Sequence, residues 1–240
     1  RSLVGSEMCI RDRDCKKALI EAEGDYAKAQ DIIREKGKLV AAKRADRSAT
    51  EGVVVSKIVG GKGYMLCLAC ETDFVAKNSE FSATANEILE IAVKADAADL
   101  EALKAVSVEA GRTVADKVTE KSGQTGEKVE LVYYAKIEAP MCVTYIHTNH
   151  KLGVLVGFNK EIAMETAKDV AMQAAAMAPI AIDRGDCDPA VVEKEREIGR
   201  EQARLDGKPE AMLDKIAEGK VNKFLTAVSY THLRAHETPE

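Results

Sequence analysis

The segment from residue 52 to residue 70 most limits how this chain can fold. It contains two mainly apolar runs, GVVVSKIV and YMLCLAC, which are separated by the turn Gly60-Gly61-Lys62-Gly63. Glycine supplies the positive φ angles of tight hairpin turns, and a turn this short joins antiparallel strands. A phosphate-binding loop would instead need a GxxxxGK[ST] pattern that leads into a helix. The segment therefore predicts a β-hairpin.

Helical periodicity appears after the predicted hairpin. SEFSATANEILEIAVKAD places apolar residues at i, i+3 and i+4 spacing, which predicts an amphipathic helix. A weaker helical segment spans about residues 109 to 121, and SGQTGEK is expected to end it. An Ala- and Met-rich helix spans residues 161 to 178 and ends at Pro179. The residues expected to face the core in the first helix are Phe81, Ala85, Ile88, Leu89 and Ala92.

Three more stretches have the composition of strands. They are residues 129 to 138, residues 141 to 147, and LGVLVGF, which follows the turn HTNHK. Aromatic residues are only 4% of the chain, with no Trp, so Ala, Val, Leu and Ile must build the core. Strands mixed with amphipathic helices predict an α+β fold with antiparallel sheets.

The two ends of the folded region are predicted to be helical. Between residues 15 and 46 we expect three short helices, with stops at Gly24 and Gly37 and with Asp25 as the N-cap of the second. The segment DPAVVEKEREIGREQARLDGKPEAMLDKIAEGKVNKFL holds two charged amphipathic stretches around Asp206-Gly207-Lys208-Pro209. This pattern predicts an antiparallel helical hairpin.

The extreme termini, residues 1–13 and 228–240, differ from the rest of the chain. They have no clear helical or strand period, and they contain His232 and His236. Both resemble translated sequencing-adapter read-through, and the alternative is a pair of natural disordered tails. We interpret them as non-native flanks and leave them out of the fold prediction.

Charge and cysteine usage narrow the class of protein. A net charge of −5 argues against non-specific binding to nucleic acid or to anionic membranes. No apolar run approaches the ~20 residues needed to cross a bilayer, and no signal peptide is evident. Scattered cysteines suit reduced thiols, so we expect a cytoplasmic location. The six cysteines are Cys9, Cys15, Cys67, Cys70, Cys142 and Cys187.

Several patterns that could indicate a reactive or metal-binding site are better explained as structural features. Cys67 and Cys70 fall on opposite faces of a predicted strand, whereas a redox CxxC sits at a helix N-terminus, and one pair is only half of a zinc site. His147 and His150 flank a turn between strands, with no acidic ligand nearby in sequence. There is no nucleophile elbow or HExxH motif. The sequence therefore predicts neither an enzyme nor a cofactor or metal.

The stretch TDFVAKN, residues 72 to 78, allows two interpretations. In the first, Thr72 or Asp73 caps the coming helix while Phe74 and Val75 are buried beneath it as a staple. In the second, Phe74 is an exposed aromatic anchor beside a carboxylate, held on a stiff strand-to-helix corner. Such an anchor can fill a partner's pocket at low entropy cost.

Residues 70 to 78, CETDFVAKN, closely resemble the signature of the elongation factor Ts family, the guanine-nucleotide exchange factors for elongation factor Tu. CKKAL followed by GD is similar to that family's ubiquitin-associated-like (UBA-like) N-terminal domain. AAKRADRSATEGVV, YIH…KLGVLV and VVEKE…GKPE…KIAEGKVNKF resemble its linker, second core subdomain and coiled-coil hairpin. The resemblance covers nearly all of residues 14 to 227.

The resemblance implies a partner and a set of contact residues. The partner is elongation factor Tu, GDP-bound or nucleotide-free, with no direct role for nucleic acid or membrane. Asp73 and Phe74 match the pair that enters the partner's G domain near its magnesium site, so that GDP leaves. An alternative function is a non-catalytic interaction module that uses the UBA-like domain, and another is a thiol oxidoreductase. The remaining residues expected to bind the partner are Thr72, Val75, Lys77, Cys15, Lys16, Lys17 and His147.

The resemblance also implies a domain layout, with some departures from the family. The family's first helix is expected to be missing, and Thr148 and His150 stand where the family has glycines. A final core strand is expected to be absent. The expected segments are a UBA-like domain at 14–46, a linker at 47–51, a core N-subdomain at 52–140, a core C-subdomain at 141–186, a helical hairpin at 187–223 and the start of a truncated core segment at 224–227.

Overall fold

The computed structural model describes residues 16–108 and 111–229. The chain divides into two compact units, which meet in sequence between Ala163 and Met164. The first unit contains all the strands found in the described residues, and the second consists of helices. The α+β prediction with antiparallel sheets is therefore confirmed.

A three-stranded antiparallel sheet is built on the predicted hairpin. Strands β1 (Glu51–Val59) and β2 (Lys62–Cys70) pair in antiparallel register through a two-residue turn. Gly60 and Gly61 form that turn with φ angles of 58° and 81°, a left-handed region that glycine enters without strain. β3 (Glu130–Glu138) pairs with the other edge of β2, so the order is β1-β2-β3. The hairpin prediction is confirmed.

The main core lies between one face of this sheet and helix α4 (Ser79–Ala95), which follows the short helix α3 (Asp73–Ala76). Leu66, Leu68 and Cys70 alternate along β2 and are fully buried against α4. Burying a large apolar side chain stabilises a fold by about 1.5–3 kcal/mol, so this layer dominates the stability of the unit. The five residues predicted to face inward from α4 are all buried, and they are Phe81, Ala85, Ile88, Leu89 and Ala92.

Two further helices complete the main core. α5 (Leu100–Ala105), which the sequence analysis did not predict, buries Leu103. α6 (Val114–Thr125) buries Val114 and begins with a capping box, in which Thr113 and Asp116 exchange hydrogen bonds. α6 ends at its C-cap, Gly126, within the predicted stop SGQTGEK, and it begins at Val114 rather than near residue 109.

A second sheet covers the opposite face of the hairpin. β4 (Met141–Ile146) and β5 (Gly153–Phe158) form an antiparallel pair that packs on β1 and β2. A Cβ on Gly153 would lie 2.6 Å from the Val54 Cγ1 atom, so this glycine lets the two layers approach closely. Because side chains alternate along a strand, Val54 and Met65 face this second sheet, away from α4.

The N-terminal helices correct one prediction. α1 (residues 16–21) ends near Gly24, which has a φ of 86°, and the Asp25 side chain accepts a hydrogen bond from the Lys28 amide at 3.2 Å, as predicted. α2 (Tyr26–Lys43), however, continues through Gly37, so the predicted stop there and the separate third helix are wrong. Gly37 is buried against Gly123 of α6, and its role is to let two helix backbones meet rather than to end a helix.

The contact between these two glycines is asymmetric, which gives a matched pair of variants. A Cβ at position 123 would lie 2.4 Å from the Gly37 Cα atom, whereas a Cβ at position 37 would lie 3.6 Å from the Gly123 Cα atom. We expect Gly123→Ala to destabilise the packing of α2 by about 1–3 kcal/mol, because backbone would have to move. Gly37→Ala should be tolerated and should stabilise the helix by up to about 1 kcal/mol. Amide hydrogen exchange in α2 measures both, and equal effects at the two positions would contradict this account.

The second unit contains α7 (Met164–Met177) and a helical hairpin. α8 (Pro189–Leu205) and α9 (Glu210–Val228) pack on each other around Gly207, which has a φ of 70°. The predicted helical hairpin is therefore confirmed, and α9 continues to Val228, beyond the predicted end of the hairpin. Among the described helices, none is long and apolar enough to cross a membrane. The buried side chains on α8 and α9 are Ala203, Leu213, Ala217, Val221 and Leu225.

Candidate functional site

Phe74 lies on the one-turn helix α3 between β2 and α4, and it is 77% exposed. No residue of α3 is buried, although Val75 and Ala76 pack partly against the main core. The interpretation that buried Phe74 as a staple is therefore wrong. Asn78 caps α4 by accepting a hydrogen bond from the Glu80 amide at 2.8 Å, and Thr72 makes no capping bond to α3.

Phe74 lies in sequence between two charged residues, Asp73 in α3 and Lys77 at its C-cap. Asp73 Oδ2 lies 2.7 Å from the Nζ atom of Lys77, one helical turn later. The hydrogen bond from Lys77 lowers the pKa of the Asp73 carboxyl, and the same bond raises the pKa of Lys77. Both groups are therefore charged near neutral pH, next to an exposed aromatic ring. An apolar anchor with a charged rim is the arrangement found at protein–protein hot spots.

The corner that carries α3 is tied to two distant segments by Glu71. Its carboxylate accepts hydrogen bonds from Arg44 Nη1 at 2.8 and 2.9 Å, from Arg47 Nη1 at 3.2 Å and from the Lys128 amide at 2.6 Å. The Lys128 amide and then the Arg44 guanidinium lower the pKa of Glu71 to about 2. Sequence analysis missed this residue, because its partners lie far away in the chain.

The low pKa of Glu71 predicts a component of acid unfolding. Because the folded-state pKa of about 2 lies below the ordinary value of 4.5, the stabilisation is complete above pH 4.5 and is lost as the pH falls toward 2. Glu71→Gln should therefore be less stable than the parent chain at neutral pH, and the difference should vanish near pH 2. The hydrogen bond from Lys62 is the chief cause of the lowered pKa of Asp96. The pH-dependent stabilisation from Asp96 is the same in Glu71→Gln and in the parent chain, so it cancels in the difference.

Denaturant unfolding measured at several pH values tests this expectation. Glu130→Gln is the matched control, because Glu130 is an exposed residue that makes an ion pair with the half-buried Lys128 at 3.3 Å. Exposed pairs add little to stability, so this variant should follow the parent curve. A difference between Glu71→Gln and the parent that stays constant from neutral pH to pH 2 would contradict the role assigned to the carboxylate.

The turn between β4 and β5 lies beside β1 and carries His147. His147 is exposed, and its Nδ1 atom lies 3.0 Å from the Tyr145 hydroxyl oxygen. The His150 carbonyl accepts a hydrogen bond from the Val54 amide at 2.7 Å, which fastens the turn to β1. Lys151 forms an ion pair with Glu51, and its charge also contributes to the lowered pKa of Asp73. The structure therefore brings this turn close enough to α3 for their charges to interact.

Thr148 and His150, which the resemblance implies stand where the family has glycines, differ in backbone conformation. His150 has a φ of 55°, whereas Thr148 is not among the residues with positive φ. A side chain in the left-handed region costs roughly 1–2 kcal/mol relative to glycine. His150 thus stores strain in the turn, and Thr148 does not.

The remaining predicted contact residues are only partly described. Lys16 and Lys17 are exposed on α1, and Cys15 lies outside the described residues. α1 packs against α2 through a small cluster of Ala18, Ala22 and Ala29. Arg44, which comes just after α2, donates a hydrogen bond to Glu71 before α3. Helix α2 therefore connects α1 to the corner that carries α3.

The two cysteines of the CxxC pattern do not form a reactive pair. Cys70 is buried in the main core, and Cys67 is half-buried on the other side of β2. Burial raises the pKa of both thiols, that of Cys70 to about 12, whereas a redox thiol needs a lowered pKa. Across residues 16–108 and 111–229, no group of three or more His, Cys, Asp or Glu side chains could hold a metal ion. The thiol oxidoreductase alternative therefore has no support in the site.

Comparisons with known proteins identify the family of this chain. A family model described as "Elongation factor TS" matches residues 71–232. Elongation factor Ts of Christiangramia forsetii is 46% identical over 223 residues, which cover 91% of this chain and 80% of that protein. The Cytophaga hutchinsonii protein of the same name is 45% identical over 229 residues, covering 93% and 81%. That of Porphyromonas gingivalis is 45% identical over 211 residues, covering 88% and 77%.

The matched region contains α3 and its exposed Phe74, strand β3, the sheet of β4 and β5, and the helical hairpin, whereas β1 and β2 precede it. The similarity to the named relatives extends over most of the chain, so it does not depend on a single motif. The chain therefore belongs to the elongation factor Ts family of translation elongation factors.

Proposed function

We propose that this chain is a guanine-nucleotide exchange factor that promotes GDP release from elongation factor Tu during translation elongation. The observation that carries the proposal is the 77% exposure of Phe74 on a turn whose neighbours are anchored in the core. An aromatic side chain has few rotatable bonds, so it loses little conformational entropy when it enters a partner's pocket. Membership in the family supports elongation factor Tu as the protein that supplies the pocket.

The proposed mechanism is thermodynamic linkage. A factor that binds the nucleotide-free partner more tightly than the GDP-bound partner must weaken GDP binding by the same ratio. Phe74 and Asp73 enter the partner's G domain near its magnesium and phosphate site and stabilise the open arrangement. No bond of the nucleotide is made or broken, so the role needs no nucleophile, general base or cofactor on this chain.

Further contacts are proposed for Thr72, Val75 and Lys77 around the ring, for Lys16 and Lys17 on α1, and for His147 on the turn after β4. The exposure of the two lysines and of His147 supports these assignments. α2 connects α1 to the corner before α3, which supports a single partner that binds both regions. We place the exchange reaction in the cytoplasm, without direct binding to nucleic acid.

Release of a fluorescent GDP analogue from purified elongation factor Tu tests the proposal. The full chain, added at increasing concentration, should accelerate release until the rate saturates. Saturation would indicate a complex from which GDP leaves, rather than a non-specific effect of added protein. A release rate that does not depend on the concentration of this chain would overturn the proposal.

A further inference from the structure

We infer that Glu127 is a positioning residue for Phe74, because its carboxylate fixes the backbone from which α3 starts. The inference rests on the proposed exchange function and extends it to a residue outside the TDFVAKN segment. Glu127 comes just after α6, and it is 55 positions from Thr72 in the sequence. Neither composition nor spacing marks it as part of the site.

α3 has little of its own to fix its orientation. It is four residues long, buries no residue and has no side-chain cap at its N-terminus. A single helical turn is unstable in isolation, because fixing its backbone costs more free energy than its first hydrogen bond contributes. The direction of the exposed Phe74 ring therefore depends on what holds the two ends of this turn and on the partial packing of Val75 and Ala76 against the main core.

Glu127 holds the N-terminal end. Its Oε2 atom accepts hydrogen bonds from the Glu71 amide at 3.1 Å and from the Thr72 amide at 3.0 Å. Its Oε1 atom accepts one from the Thr72 hydroxyl at 2.6 Å. Three donors on two consecutive residues thus converge on one carboxylate, and hydrogen bonds to a charged acceptor are the stronger kind.

The connection runs in both directions, which keeps the carboxylate in place. Glu71 accepts a hydrogen bond from the Lys128 amide at 2.6 Å while Glu127 accepts the one from the Glu71 amide. Each segment therefore supplies a carboxylate to the backbone of the other. The C-terminal end of the turn is held separately, by Asn78 as the cap of α4 and by Val75 against the main core.

Removing the carboxylate should loosen the start of α3 without moving its end. Glu127→Ala leaves the Glu71 and Thr72 amides without their acceptor, so hydrogen exchange at residues 71–77 should quicken by about tenfold or more. Glu127→Gln should stay close to the parent, because its amide oxygen can accept from the backbone and its NH2 group can donate to the Thr72 hydroxyl oxygen. Glu130→Ala, which removes an exposed carboxylate nearby, is the matched control and should leave residues 71–77 unchanged.

The exchange assay tests whether this loosening matters for Phe74. Glu127→Ala should slow the saturated rate of GDP release by about tenfold, with rescue by Glu127→Gln. In a Phe74→Ala background the same substitution should change the rate by less than about twofold, because there is no ring left to position. A purely structural role would instead lower the amount of folded protein and leave the rate per folded molecule intact.

The outcomes separate the positioning role from the exchange function itself. A tenfold slowing that persists in the Phe74→Ala background, or unchanged hydrogen exchange at residues 71–77, would overturn the positioning role. If Glu127→Ala does not fold, Glu127→Asp decides by the same criteria, since it keeps the charge but is too short to reach both amides. If Phe74→Ala exchanges GDP as fast as the parent, the exchange mechanism fails, and hydrogen exchange alone then decides whether Glu127 holds the turn.

Discussion

Replacing Phe74 with alanine is expected to slow GDP release from elongation factor Tu by roughly 30-fold or more, the loss typical of a hot spot worth ~2 kcal/mol. The ring is 77% exposed in this chain, so it contributes little to the fold. Its apolar surface becomes useful only in a partner's pocket. The free energy of unfolding should therefore change by less than about 0.5 kcal/mol, as for other surface substitutions.

Stopped-flow measurement of fluorescent GDP release at saturating concentrations of each variant tests this expectation. Tyr133→Ala is a suitable control, because Tyr133 is an aromatic residue on β3 that is 55% exposed and lies outside the proposed contact set. It should release GDP at the parent rate. Equal rates for the parent and Phe74→Ala would refute the role of the ring, even if the chain remains an exchange factor.

Replacing Phe81 with alanine is expected to have the opposite profile. Phe81 lies one helix later, is 1% exposed and packs in the main core. Truncating a buried Phe to Ala costs about 3–5 kcal/mol, through lost burial and the cavity left behind. Native domains are stable by only about 5–15 kcal/mol, so a large share of the stability would be lost.

Thermal and denaturant unfolding measure this loss directly. The midpoint should fall by about 10 °C for a chain of this size. Phe81→Leu, which keeps most of the volume, should cost less than about 1.5 kcal/mol. A Phe81→Ala protein that unfolds like the parent would mean that the core does not depend on this ring. Together with Phe74→Ala, the variant separates the structural use of phenylalanine from its proposed use in binding.

The elements that the sequence predicts best are those whose pattern is local. The hairpin turn at Gly60 and Gly61 follows from the backbone freedom of glycine, and the buried face of α4 follows from its helical spacing. The hairpin of α8 and α9 follows from two amphipathic stretches around Gly207. In each of these, residues within one or two turns of each other decide the structure.

The predictions failed where distant residues decide the structure. Gly37 looks like a helix stop in sequence, but Gly123 of α6 makes it a point of close helix contact. The sequence marks TDFVAKN as a candidate site, but the local pattern does not decide whether Phe74 is buried or exposed. Glu71 and Glu127 were missed, because a carboxylate that binds backbone amides across the fold has no spacing signature.

The contact between Gly37 and Gly123 also bears on the order in which the newly made chain can fold. Within the described residues, α1 and α2 bury only a few alanines between them, so we expect α2 to be held in place only after α6 has formed. Residues 44 to 122 must leave the ribosome first, which takes several seconds at roughly 5–20 residues per second. During that interval we expect α2 to be accessible to proteases and chaperones, although in the folded protein it is packed against α6.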